Sequence, residues 1–323
     1  MASYVQRGVD HFNSALDAKL LARGSIASNA LVADIDITDA ATDFLWAIFA
    51  VMAFTTIAIL FYANFMVPRH QRAFVYLSAA ITGTASIAYF SMASDLGSTP
   101  VTVEFLNGWD TANSSGVYPT RSIWYARYID WTITTPLLLL ELLLISGMPL
   151  SNVFLTIFWD IVMIETGLIG SLVTSQYKWG FYVFGCIAMF LVFYDLYVVG
   201  WSSAKKLDPS LGRTYITGTA MLSFLWFLYP IAWGLADGGN QISPTGEMVF
   251  YGVLDLLAKP VFAIVHLVGL RSLNYDVLGL QSGKRSAYQE AAGTGGGITS
   301  TSKGQEASHG HGSPSETAVH GNA

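Results

Sequence analysis

Lys259 lies in an otherwise apolar stretch, Met248 to Leu270, with Asp255 four residues before it. Residues four apart face the same side of a helix, so this carboxylate and ammonium would meet. A charge at membrane depth costs several kcal/mol and normally marks a functional site. The other interruptions are glycine, proline and His266, and none of them neutralises a charge. A buried lysine amine is the usual precursor of a Schiff base with a carbonyl ligand. The plainer alternative is a buried ion pair that ties two helices together. On this stretch alone, both readings stand.

A second stretch carries more ionisable groups. Arg127, Asp130, Thr134 and Glu141 punctuate a run that is otherwise aromatic, β-branched or leucine. At 100° and 1.5 Å per helical residue, Asp130 and Glu141 fall within about 20° of each other around the axis and roughly 16 Å apart along it. Arg127 lies one turn to one side of Asp130, and Thr134 one turn to the other, within reach of a hydroxyl-to-carboxylate bond. Carboxylates ordered across a bilayer on one helix face are the layout of a proton relay. Arg127 and a lysine imine would stabilise Asp130 as an anion. Glu141 is flanked by Leu138, Leu139, Leu140, Leu142 and Leu143 and has no cation near it in sequence. Two carboxyls in such different surroundings divide into acceptor and donor. The plainer reading of Glu141 is a lipid-facing or interface residue.

These residues need helices to hold them. The 323 residues are 53% hydrophobic and 12% charged, against about a quarter charged in a soluble domain, and mean hydropathy is +0.47. Seven apolar segments reach the roughly 20 residues that cross a bilayer: Phe44–Val67, Ala73–Ser94, Ser122–Ser146, Val153–Ser175, Trp179–Ala204, Thr214–Ala236 and Met248–Leu270. The fold class expected is an all-α seven-transmembrane-helix bundle. Residues 1–42 form an extracellular N-terminal segment without the charged-then-apolar start of a signal peptide, 43–272 the bundle, and 273–323 a cytosolic, largely disordered tail rich in Gly, Ser, Thr and His. His309 and His311 in that tail read as solvated rather than metal-binding. Cys186 is the single cysteine and reads as a small buried hydrophobe. No basic cluster interleaved with aromatics points to nucleic acid.

One set of connections carries Arg69, Arg72, Lys205, Lys206 and Arg213, and Arg271 follows the last segment; the opposite set carries only Arg121 and Lys178. The positive-inside bias then puts the N-terminus outside and the C-terminus in the cytosol. Asn113-Ser114-Ser115 would lie outside as a weak glycosylation acceptor. Asp255 would sit on the outer side of Lys259. His266 would sit about 10 Å beyond it toward the cytosol, either assisting proton uptake or packing between helices. Trp226, Tyr229, Pro230 and Trp233 form one stripe, and Trp131 and Tyr89 add walls. Such a stripe packs helices or cages a long conjugated ligand.

Arg-Tyr-Ile-Asp-Trp-Thr-Ile-Thr-Thr-Pro (127–136), Trp-Asp-Ile-Val-Met-Ile-Glu-Thr-Gly (159–167), Trp-Phe-Leu-Tyr-Pro-Ile-Ala-Trp (226–233) and Asp-Leu-Leu-Ala-Lys (255–259) resemble the microbial (type I) rhodopsins, most closely their fungal proton-pump-like group. The resemblance covers all seven segments and neither tail. It implies all-trans retinal bound to Lys259 as a protonated Schiff base, light-driven isomerisation, Asp130 as proton acceptor and Asp255 as second counter-ion. By the same resemblance Arg127 moves to favour release, Asp237 and Glu247 take part in release, and Glu141 is the cytoplasmic donor with Ser78 bonded to it. The pocket it implies is Tyr89, Trp131, Thr135, Leu138, Met163, Gly167, Trp226, Tyr229 and Trp233, with Asp160 near the ring end. Leu138 and Ala258 resemble green-absorbing members. Glu165 and Asp195 have no role in it and read as interface or loop-side pairs.

The function expected is a light-driven outward proton pump in the plasma membrane, with lipid and protons as partners and a homo-oligomer, a trimer by resemblance, as its assembly. A photosensor of the same fold with a slow photocycle is the alternative. A retinal-free chaperone-like relative is opposed by Lys259. Chloride or sodium pumping is opposed by the acids at 130 and 141, and a G-protein-coupled receptor by the lack of an Asp-Arg-Tyr-like triplet ending the third segment.

Overall fold

The computed structural model describes residue 29, residues 33–107 and residues 118–271. The 273–323 tail, the Asn113 acceptor, the His309–His311 pair and most of the 1–42 segment lie outside the described residues. Among those described, seven helices have the length and composition to cross a membrane: α1 Asp39–Met66, α2 Arg72–Ala93, α3 Tyr125–Ser146, α4 Leu150–Leu172, α5 Lys178–Leu207, α6 Pro209–Gly238 and α7 Pro244–Leu270. The shortest has 22 residues, about 33 Å of helix, enough for a hydrocarbon core.

Local chemistry sets where these helices begin. α1 starts five residues before the expected Phe44, because the Thr38 side chain accepts the Ala41 N–H at its N-terminus. α6 starts at Pro209, five residues before the expected Thr214, with the Asp208 carboxylate accepting the Ser210 and Leu211 amides. α7 starts at Pro244, where Ser243 accepts the Gly246 N–H at 3.1 Å. Proline in a first turn wastes no donor, since those amides have no helical acceptor. α3 ends at Gly147 in the left-handed region, φ 62°, and a Cβ there would collide with the Leu207 side chain.

The third expected segment was wrong at its start. Residues Thr120–Ile123 form strand β2, paired antiparallel with β1, Thr99–Thr102, in the register Pro100↔Ser122. Ile35 adds a parallel bridge at Arg121, with Ile35 N donating to Thr120 O at 2.9 Å and Ser122 N to Ile35 O at 3.1 Å. This hairpin caps the end of the bundle where α3 and α7 begin, called the hairpin end below.

Each helix packs on the next, α1 closes the ring against α7, and α3 also meets α5 and α6. The most apolar window of α3 is 61% buried and that of α1 only 22%, so α3 is the central helix and α1 a peripheral one. Phe54 and Phe65 on α1, Phe154 on α4, Phe184 on α5 and Phe224 on α6 point outward, which a bilayer tolerates and water does not. The leucines around Glu141 belong to the core, packed with Phe74, Val192, Leu222 and Phe262. Polar residues tie neighbouring helices: Thr56 to Thr82 at 2.8 Å, Thr132 to Glu165 at 2.9 Å and Thr156 to Asp195 at 3.0 Å. Glu165 and Asp195 are thus interhelical pairs, the plain reading given above.

Three helices widen into a π turn, at Asp195–Gly200, Gly234–Gly238 and Leu257–Val261. Such turns recur at functional sites because they displace side chains from the regular face. At the π turn of α5 the hydroxyl of Tyr215 on α6 donates to Leu196 O at 2.7 Å, and Gly200 leaves room for that ring.

Candidate functional site

Lys259 sits inside the π turn of α7, immediately before Pro260. Its Nζ is 2.6 Å from Asp130 Oδ2 on α3 and 3.1 Å from Asp255 Oδ2 one turn earlier. All three residues are buried. The expected placement of both carboxylates at the amine is therefore what the fold builds. Asp255 is held on both oxygens, by the Tyr89 hydroxyl at 2.8 Å and the Tyr229 hydroxyl at 2.6 Å. Removing one partner of such a buried group costs several kcal/mol, because the remaining charge is left uncompensated. The Thr134 hydroxyl donates to the Asp130 main-chain carbonyl at 2.8 Å, one helical turn back, and lies beside the Asp130 carboxylate as expected.

A cavity opens beside the amine. Trp131, Thr135, Leu138, Met163, Gly167, Trp226, Tyr229 and Trp233 all line it, together with Asp255 and Lys259. Of the expected pocket, Tyr89 and Asp160 do not line it. Each stands one bond behind the wall, Tyr89 on Asp255 and Asp160 accepting from Thr135 at 2.9 Å. The sequence reading missed Tyr128, Ile164, Tyr182, Gly185 and Tyr251, which complete the walls. Cys186 is also a lining residue and only partly buried, which corrects its reading as a small buried hydrophobe. Trp131 packs edge-on against Tyr128 and Tyr229, and Tyr182 stacks on Trp233 at 5.2 Å. Rigid aromatic walls with one amine at the end suit a long apolar ligand bearing a carbonyl.

Toward the hairpin end lies a network of charge. Arg127 does not pair with Asp130 as expected. Its Nη1 bonds Glu247 Oε1 at 2.7 Å and its guanidinium covers the Tyr251 ring at 4.2 Å. Arg121, read from sequence as a loop charge, is buried in β2 and bonds the other oxygen of Glu247 at 2.8 Å, Asn240 Oδ1 at 2.7 Å and Ile242 O at 2.8 Å. Asp237, in the π turn of α6, accepts from the Tyr128 hydroxyl at 2.6 Å. Asp237 and Glu247 thus stand near one another in the network without a direct bond between them among the described contacts. No local signal could have found Arg121, Tyr128 or Asn240, since their partners are more than 100 residues away in sequence.

Away from the hairpin end, the Ser78 hydroxyl donates to Glu141 Oε1 at 2.5 Å, and Glu141 is fully buried among the leucines. Glu141 faces the interior and not lipid. His266 is buried, stacked on Phe262 with centroids 5.5 Å apart, as a packing histidine.

The chain matches the family described as bacteriorhodopsin-like protein over residues 39–273. It is 49% identical to the opsin-like protein carO of Fusarium fujikuroi over 251 residues, covering 77% of this chain and 79% of that one. It is 46% identical to protein FDD123 of Trametes versicolor over 267 residues, 80% of this chain and 90% of that one. Among solved structures it superposes on the light-driven proton pump LR (Mac) from Leptosphaeria maculans with a TM-score of 0.68 at 35% identity, covering 74% of this chain and 100% of that one. The chain belongs to the bacteriorhodopsin-like proteins, the microbial rhodopsins: multi-pass membrane proteins that carry retinal as chromophore and act as light-driven pumps or photoreceptors rather than as enzymes.

Proposed function

We propose that the protein is a light-driven outward proton pump with all-trans retinal on Lys259. The observation that carries this reading is the buried lysine amine clasped by two carboxylates at the end of an aromatic cavity, with a further acid on either side of it. Retinal condensed with Lys259 Nζ supplies absorption of visible light, isomerisation and a titratable nitrogen. The residues supply direction. Both oxygens of Asp255 are occupied by phenols, so Asp255 serves as a fixed counter-ion. Asp130 engages the amine through Oδ2 at 2.6 Å and has no phenol on it among the described residues, so it takes the proton from Nζ. Arg127, between Glu247 and the Tyr251 ring, responds to the neutralised Asp130, and the Glu247 and Asp237 groups pass a proton toward the hairpin end. Glu141, held by Ser78, returns a proton from the other side.

Orientation follows from the basic residues at the end away from the hairpin. Arg121 and Lys178 at the hairpin end are buried, which sharpens the positive-inside asymmetry and supports a cytosolic C-terminus. The plasma membrane is the membrane this reading assigns. Illuminated cells or vesicles should acidify their outer medium in an uncoupler-sensitive way, and Lys259→Ala should be colourless and inactive. A coloured protein with no such pH change refutes the pump.

The alternative is a photoreceptor with a slow photocycle. The observation favouring it is Glu141 itself, bonded to Ser78 and fully buried beside the leucine core of α3, a setting that slows reprotonation. Recovery after a flash within milliseconds supports pumping; recovery over seconds supports sensing.

A further inference from the structure

A second, smaller pocket lies at the hairpin end, lined among others by Glu104, Arg121, Ser171, Lys178, Asp237 and Asn240. It meets the main cavity through one pair: Tyr128 lines that cavity, and its hydroxyl donates to Asp237 Oδ2. The other oxygen, Asp237 Oδ1, is buried without a hydrogen-bond partner among the described residues, a costly state for a carboxyl group that has nothing to exchange with. Arg121 is already committed to Glu247, Asn240 and Ile242. Lys178 is 2% exposed, and its Nζ lies 4.0 Å from Glu104 Oε2, while the Glu104 side chain is 21% exposed. The Trp179 indole N–H donates to that same oxygen at 3.3 Å. One pocket thus has a buried acid at its inner end and a half-open acid, pinned by an ammonium and an indole, at its outer end.

We propose that this pocket is the exit chamber for the pumped proton, with Glu104 its terminal acceptor and Lys178 the positioning residue that holds Glu104 at its mouth; the proposal rests on the pumping reading above. The balance is simple. Protonated Asp237 gives its proton through the pocket to the Glu104 carboxylate, leaving Asp237 anionic and Glu104 neutral; Glu104 then loses the same proton to the outer medium. No oxidant, metal or further reactant is needed. The two acids differ in the way such a step requires, one buried and one open to water.

The test is flash excitation of the retinal-loaded protein with a pH-indicator dye in the medium. Two signals are read together: the absorbance change that reports deprotonation at Lys259 Nζ, and the arrival of the proton at the dye. In Glu104→Gln the first signal should keep its wild-type rate while dye acidification lags by tenfold or more, and Glu104→Asp should restore much of the timing. Unchanged dye timing in Glu104→Gln overturns the exit chamber. Absence of the first signal in the wild type overturns the pumping reading instead, so the two failures are distinguishable. A dark measurement tests Lys178 separately. The infrared carboxylate band lost in Glu104→Gln should shift in Lys178→Met if the ammonium holds that carboxylate, and a band that stays put removes Lys178 from the proposal.

Discussion

Arg121→Gln is the most informative single change, because it removes a cation that only the three-dimensional structure reveals. Arg121 is 1% exposed and makes three bonds of 2.7–2.8 Å, one of them to the fully buried carboxylate of Glu247. Glutamine keeps the polarity and roughly the reach but not the charge. Glu247 is left with Arg127 alone. Breaking a buried ion pair by deleting one partner costs roughly 3–5 kcal/mol, most of it from the charge left behind. At about 2–4 °C per kcal/mol for a protein of this size, the melting temperature should fall by about 6–20 °C. The assay is thermal denaturation in detergent, followed through the chromophore band, on wild type, Arg121→Gln, Glu247→Gln and the double variant. Because the two side chains touch, the double variant should cost at least ~1 kcal/mol less than the sum of the singles. A loss under ~1 kcal/mol for Arg121→Gln, or strict additivity in the cycle, would refute the argument that Arg121 exists to neutralise Glu247.

Glu141→Gln should slow reprotonation at Lys259 by about 10²-fold or more, the usual contribution of a positioned proton donor; flash photolysis with unchanged recovery would remove Glu141 from the relay. Gly147→Ala should destabilise by about 1–2 kcal/mol, since only glycine adopts φ 62° freely, and the collision with Leu207 adds to it; a melting temperature equal to wild type contradicts this. Hydrogen bonds from the Ser210 hydroxyl and from the Ser210 and Leu211 amides hold the Asp208 carboxyl below its usual range. Its cap therefore stabilises α6 fully above the ordinary aspartate value of about 3.9 and loses that contribution as pH falls through the lower folded value. The protection of the Ser210 and Leu211 amides against exchange, taken relative to the intrinsic rate at each pH, should fall on that acid side, and Asp208→Asn should make that protection insensitive to pH there.

What could be read from the sequence was what short range decides. Lys259 and Asp255 are four apart on one helix, and the apolar lengths of the segments dictate membrane crossings. Glu141 was legible as a buried acid because its own neighbours are leucines. Asp130 at the amine followed from resemblance and from depth, and the structure brings it to 2.6 Å. The β1–β2 hairpin was hidden because its strands have four residues each and lie beside long apolar runs. Arg121 and Lys178 look like loop charges in the sequence because nothing adjacent neutralises them. Their partners, Glu247 and Glu104, come from distant parts of the chain. Helical proximity assigns Arg127 to Asp130, yet Glu247 Oε1 offers it an acceptor free of a lysine, and tertiary geometry prevails over local spacing. The three π turns leave no periodic trace over so few residues.

The widened turn that carries Lys259 divides α7 into two independently registered halves. Pro260 has no N–H to contribute, so the extra residue is accommodated where the ladder is already interrupted. Deleting one residue between 257 and 261 would restore a regular helix and swing everything after it by about 100°. Phe262, Ala263 and His266 would then turn out of the interior they now fill, while Asp255 stayed with Tyr89 and Tyr229. The spare residue is what lets the amine answer to the charges of one half while the other half obeys the packing of the opposite membrane face.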